Sequence, residues 1–174
     1  MTQPLSPRPG ASEYAPYFET YVSLAGEGSI LGKLVANPIE EALAGLSDAE
    51  ADHPPAPGKW SPKQVLGHVI ETERVMAYRA LRIARGDQTP LPGFDQDLFV
   101  ANAAFGHRSL ASLLEEMQAV RAATLTLLRG LPAEAWTRSG TVSGNPITVR
   151  ALAWIIAGHE LHHARLLARP RPRP

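Results

Sequence analysis

Residues 148 to 168, T-V-R-A-L-A-W-I-I-A-G-H-E-L-H-H-A-R-L-L-A, constrain the fold more than any other stretch. Thr148 stands as an N-cap two residues after Pro146, ahead of a long run of apolar residues at helical spacing. His159 and His163 are separated by four positions, close to one helical turn, so both imidazoles leave the same face. Leu152, Ile155, Ile156 and Leu166 share that stripe, which directs the two histidines into an apolar interior. The opposite side carries Trp154, Ala157, Gly158 and Leu161, a patch suited either to intramolecular packing or to half of a symmetric dimer interface. Two imidazoles at this spacing are a common offer to a transition metal, and a third ligand must then come from elsewhere in the chain.

The remaining chain supplies helices to enclose this one. Its 174 residues suit one domain with a substantial core, here assigned to residues 13 to 168. Residues 1 to 12 are Pro-rich and expected to be loose, and R-P-R-P-R-P at 169 to 174 reads as a flexible basic tail. A short helix is expected over Tyr17 to Leu24. A longer one, kinked by Pro38, is expected over Ser29 to Leu46, closed by Gly45, Leu46 and Ser47. Trp60-Ser61-Pro62-Lys63-Gln64-Val65 combines an N-cap, a proline at the first helical position, a capping box and a hydrophobic staple, and predicts a helix to about Arg85. Gly86 to His107 is a long connection whose Phe94, Leu98, Phe99 and Phe105 predict a packed loop with a short helical turn. Ser109 caps a further helix that ends at Gly130, and S-G-T-V-S-G-N-P reads as an irregular connection. No segment alternates convincingly as a strand. The fold expected is therefore all-α, a four-helix bundle with long connections.

His68, on the helix that starts after Ser61, shares its side with Val65, Thr72, Val75 and Met76 and is the natural third ligand. The alternative is a hydrogen-bonded core histidine. Three protein ligands plus water is the pattern of an open, reactive site. His162 is off the centre of the His159–His163 side, and His53 and His107 read as loop or capping residues. The letters H-E-L-H-H also satisfy the zinc-protease signature, but no His, Glu or Asp follows His163 to complete such a site. Glu160 reads most simply as a helix-surface charge, with a role as general base as the alternative; Glu71, three residues after His68, is an equal candidate base. Asp87, Asp95 and Asp97 either line the site mouth or terminate turns and cap a short helix.

Several function classes are excluded or unsupported. With 17 Lys and Arg against 17 Asp and Glu, there is no electrostatic case for nucleic acid or an anionic membrane. Without cysteine, disulfides, thiolate ligands and a protein thiol nucleophile are all absent. The chain lacks an apolar leader and any membrane-length apolar run, so a cytoplasmic protein is expected.

Three runs carry a family resemblance: K-W-S-P-K-Q-V-L-G-H-V-I-E-T-E-R, then Y-R-A-L-R-I-A-R-G-D-Q-T-P-L-P-G-F-D-Q-D, and finally A-G-H-E-L-H-H. Over about residues 14 to 168 the chain resembles the DinB-like superfamily, within it the YfiT-like branch, which is unrelated to the translesion polymerase sharing the DinB name. The resemblance implies an up-down-down-up four-helix bundle with one divalent metal, nickel or zinc, on His68, His159 and His163, and a homodimer. Three functions are then in view: metal-dependent hydrolysis at an open three-imidazole site, with Glu71, Glu160 or a loop aspartate handling the proton; transfer of a low-molecular-weight thiol such as bacillithiol or mycothiol, which the resemblance suggests; or a non-enzymatic, stress-related metal-binding module, if a side chain such as His162 blocks the open position.

Overall fold

The computed structural model describes residues 7–168. The first arm is more divided than its hydrophobic spacing suggests. Single 3₁₀ turns at Ala11–Glu13 and Pro16–Phe18 lead into α1 (Glu19–Ala25). Residues 7–12, expected to be loose, are tied down: Arg8 donates from Nη2 to Glu19 Oε1 and Ser23 Oγ, each at 3.1 Å, and the Gly10 amide donates to Glu13 Oε1 at 2.9 Å. Residues 1–6 and the basic tail 169–174 lie outside the described residues. The single kinked helix expected over 29 to 46 is instead two, α2 (Ile30–Val35) and α3 (Pro38–Leu43). Asn37 between them is left-handed, with φ of 49°, and Pro38 occupies the first turn of α3. Proline there loses no bond that a helix would make, so it starts a helix and does not bend one. Ser47, read as a terminator, instead caps α4 (Asp48–Asp52) in a capping box with Glu50.

The next helices start where their caps predict. Ser61 accepts from the Gln64 amide and Gln64 bonds back to the Ser61 amide at the head of α5 (Pro62–Ala84). The long connection folds as expected into a packed loop carrying α6 (Gln96–Asn102), and Ser109 caps α7 (Leu110–Arg129). The connection before the last helix corrects the all-coil expectation. Residues Ser139–Val142 (β1) and Asn145–Thr148 (β2) pair antiparallel, with Ser139 opposite Thr148 and Val142 opposite Asn145. Ser143 and Gly144 turn the hairpin with φ of 50° and 78°, the two-residue geometry whose twist suits adjacent strands. Leu91 of the long loop pairs along β1, its amide donating to the Thr141 carbonyl at 2.9 Å and its carbonyl accepting from the Ser143 amide at 3.0 Å. The hairpin therefore anchors the loop. Thr148 then caps α8 (Val149–Leu167) as predicted.

Contacts between helices fix their directions. Ile30 and Leu34 pack in one apolar cluster with Leu152 to Ala157 near the start of α8, and Ile39 and Leu43 pack in another with Ala164 and Leu167 near its end, so α2–α3 and α8 run together. On α5, His68 meets His159 near the far end of α8, so α5 opposes α8. Leu66, Val69 and Ile70 of α5 cluster with Leu110, Leu113 and Met117 at the start of α7, and Met76, Ala80 and Ile83 cluster with Leu125 and Leu128 near its end, so α7 runs with α5. This is the up-down-down-up bundle. Two parallel neighbours require the chain to cross the full bundle length between them, which is what the long connection from 86 to 109 does.

The core is stratified. One apolar cluster takes Met76, Ala80 and Ile83 of α5 with Leu152 to Ala157 of α8. The other takes Leu66, Val69 and Ile70 with Ala164 and Leu167. Between them, on successive helices, lie the buried polar residues His68, Thr72, Glu73, Arg121, Thr124, His159 and Glu160. The patch on the back of α8 is intramolecular: Trp154 is fully buried and donates from Nε1 to the Gly26 carbonyl at 3.3 Å. At Gly158 the α1 backbone approaches so closely that a Cβ would stand 1.8 Å from the Tyr21 carbonyl oxygen. That face is therefore filled by α1 and offers no surface for a dimer.

Candidate metal centre

The polar layer places His68 of α5 against His159 and His163 of α8. His68 Nε2 lies 3.0 Å from His159 Nε2, and His163 Nε2 lies 3.2 Å from His159 Nε2. One nitrogen from each of the three rings falls within 4.8 Å of the other two, and no other His, Asp or Glu among the described residues joins the group. Three nitrogens each about 2.05 Å from one tetrahedral ion would stand about 3.3 Å apart, so the two measured separations suit convergence on one ion. The donor set, all nitrogen, suits zinc or nickel better than magnesium or calcium.

Burial keeps these imidazoles neutral. It depresses His68 to about 4, with the nearby Asp97 charge opposing. Burial likewise pulls His163 down to about 3, reinforced by the charges of His68 and His162. His159 is held well below its ordinary value by burial and then by the three neighbouring histidines. Neutral imidazole is the form that ligates metal. The rings are also held by packing. Trp60 stacks obliquely on His68 at 5.0 Å between centroids, and Tyr21 meets His159 edge-on at 5.2 Å. Thr72 Oγ1 lies 3.4 Å from His68 Nδ1.

Two cavities adjoin the cluster. One, of about 290 Å³, reaches His68 and His159 from beneath the long loop, bounded by Tyr17, Phe94 and Ser143. The other, of about 640 Å³ and mainly apolar, reaches His163 from the side of the 55–60 loop, bounded by Trp60, Val65 and Leu167. Asp97, in the first turn of α6, lines the second.

The expected site residues fare differently. His162 is half-buried and meets the rings of Tyr21 and His163, outside the trio. His53 and His107 are exposed and stand apart from the cluster. Glu160, read as a surface charge, is 1% exposed: its Oε2 accepts from Arg121 Nη2 at 2.7 Å and its Oε1 from the Ile39 amide at 3.4 Å. Consecutive helical residues diverge by about 100°, so His159 and Glu160 face different partners. Glu71 feels the charges of Arg74 and Glu116 on the α7 side, and burial raises its pKa. Neither glutamate is among the converging donors. Of the loop aspartates, Asp87 pairs with Arg82 and Asp95 caps α6 through the Asp97 and Leu98 amides, leaving Asp97 at the site. Arg79, Tyr21 and Trp60 were not legible as site residues. Trp60 had a local role as a staple, Arg79 stood in a run that carried only the family resemblance, and Tyr21 lacked any motif.

The family model of the DinB superfamily matches residues 34–167. Among solved structures, the chain is similar to YfiT from Bacillus subtilis, described as a probable metal-dependent hydrolase with an unusual four-helix bundle topology. The two share 18% identity at a TM-score of 0.69, covering 90% of this chain and 86% of that one. No curated protein sequence matches significantly.

Proposed function

The chain belongs to the DinB superfamily, and from that membership and its buried histidine trio we propose that it is a metal-dependent hydrolase, with one divalent transition metal, nickel or zinc, held by His68, His159 and His163. The observation that carries this reading is the convergence of three neutral imidazole nitrogens, with Nε2 separations of 3.0 and 3.2 Å, beside two cavities. When bound, the ion supplies Lewis acidity that brings deprotonation of water toward neutral pH. The chain's own residues do the rest. Trp60 and Tyr21 pack against the ligand rings and fix their orientation, which sharpens any transition-state geometry the site imposes. The Asp97 carboxylate, close enough for its charge to act on His68, is placed to accept a proton in place of Glu71 or Glu160. The apolar walls of the larger cavity accommodate an uncharged substrate portion.

The test is metal content after purification without added metal or a histidine tag, beside a His159→Ala/His163→Ala variant, followed by an ester and amide screen of the metal-loaded protein. About one equivalent of nickel or zinc in the parent, lost in the variant, and metal-dependent turnover support the reading. A parent that takes up neither ion after dialysis against both sinks it. One observation favours a second reading, thiol transfer: cavities reach the trio from two sides, room for two organic substrates where hydrolysis needs only one. A thiolate charge-transfer band on the cobalt-substituted protein supports this second reading, and its absence with a panel of small thiols removes it.

A further inference from the structure

Arg79 sits on α5 three turns beyond His68, only 4% exposed, and lines the same cavity as His68 and His159. A buried guanidinium normally has a carboxylate beside it, because an unpaired buried charge is costly. The bundle's other buried arginine follows that rule: Arg121 pairs with both Glu73 and Glu160. Among the described residues Arg79 has no carboxylate partner. Its Nη2 donates to the Pro92 carbonyl at 2.7 Å, its Nη1 approaches Met76 Sδ at 3.5 Å, and its Cζ lies 5.7 Å from the Phe94 ring centroid. These contacts hold the group in place without neutralising it. Burial accordingly pulls the Arg79 pKa down, opposed only by Tyr17.

The loop that holds Arg79 is itself fixed, since Leu91 is bonded to Thr141 of β1 and to Ser143 of the hairpin turn. Arg79 is thus a preorganised cation in a cavity of about 290 Å³, with His68 and His159 at one boundary. We propose that this cavity is an anion subsite in which the Arg79 guanidinium binds a carboxylate of a small substrate, while the substrate's reacting group lies at the His68 and His159 side of the histidine cluster. One guanidinium neutralises one carboxylate and matches its planar, two-oxygen geometry. A phosphate dianion would remain half-neutralised there. The location of the reacting group rests on the metal-dependent reading; the anion subsite does not.

Two arms separate these claims. In the first, metal-free protein is titrated with butanoate or butanamide, and the Arg79 Nε–H resonance is followed by NMR. Butanoate should shift it and butanamide should not. In the second, cobalt-loaded protein is titrated with ω-mercaptoalkanoates of two to five carbons and with their amides, following the thiolate band. The best-fitting carboxylate should bind about ten-fold tighter than its amide, the order expected of a charged hydrogen-bonded pair. Arg79→Gln should abolish that preference, and Arg79→Lys should keep part of it. Equal binding of acid and amide by the parent, or a preference that survives Arg79→Gln, overturns the subsite. Inorganic phosphate displacing butanoate at lower concentration than butanoate itself requires overturns the carboxylate assignment. Should Arg79→Gln not fold, the parent's acid-to-amide ratio and the Arg79 resonance decide. Should the parent bind no cobalt, the metal reading fails, and the first arm still decides Arg79.

Discussion

His159 and Glu160 are neighbours in sequence with opposite surroundings, and two substitutions separate their roles. His159→Ala removes the imidazole that lies within 3.2 Å of both other ligand nitrogens. The expected outcome is loss of bound metal with a moderate stability cost of about 1–3 kcal/mol, from the buried His68 nitrogen left without its partner, read by metal analysis and thermal melting. Arg121→Met should do the reverse. It leaves Glu73 and Glu160 buried without their common cation, and breaking a buried ion pair costs about 3–5 kcal/mol. Metal stoichiometry of the fraction that remains folded should be unchanged. Metal loss on Arg121→Met at a temperature where the variant is folded would contradict a purely architectural role for the Arg121–Glu73–Glu160 group. Nothing local in the sequence announces that group, because Glu160 is 39 positions from Arg121 and Arg121 is 48 from Glu73.

Helices whose start signals are local were legible, and elements whose partners are distant were not. Ser61 and Gln64 are three residues apart and predicted the start of α5 correctly. Ser61→Ala should therefore lower stability by about 1 kcal/mol, measured by denaturant unfolding, with metal stoichiometry intact. A larger cost would mean that Ser61 does more than cap. The histidine trio was half local: His159 and His163 share a helix face, whereas His68 entered by its apolar neighbours and the family resemblance. The β1–β2 hairpin was missed because Pro146 argues against a strand and Ser-Gly is a weaker turn signal than Asn-Gly. The division of α2 from α3 was missed because apolar spacing continues across it. It is Asn37, not Pro38, that takes the unusual backbone. Asn37→Gly should leave stability nearly unchanged and Asn37→Val should lower it, since a β-branched residue resists φ of 49°. Equal melting of the two variants would rule out a left-handed residue 37.

Across the whole molecule, the central polar layer makes stability depend on pH in a direction that can be worked out. In metal-free folded protein the trio stays neutral, with His68 at about 4, His163 at about 3 and His159 also depressed. In the unfolded chain these groups return to the ordinary histidine value of about 6.5. Below that value the unfolded state binds more protons than the folded one, so stability falls as pH falls. The contribution is complete above about pH 6.5 and is lost progressively down through the folded values. Glu71 and Glu160 act oppositely, because their raised pKa values let the folded state take up protons first as the carboxylate range is reached. The histidine effect is therefore cleanest between about pH 6.5 and 5, above that range. Melting of the metal-free protein should be flat from about pH 7.5 to 6.5 and then decline toward pH 5. A ligand to the folded state alone raises the melting temperature, so zinc or nickel should lift the curve at neutral pH. The lift should shrink toward pH 5 as protons compete for the same nitrogens. Replacing all three histidines by glutamine should remove both the decline and the lift. A parent whose melting is level from pH 6.5 to 5 and insensitive to either metal would show that the three imidazoles neither resist protonation nor act together. The polar layer would then be packing alone.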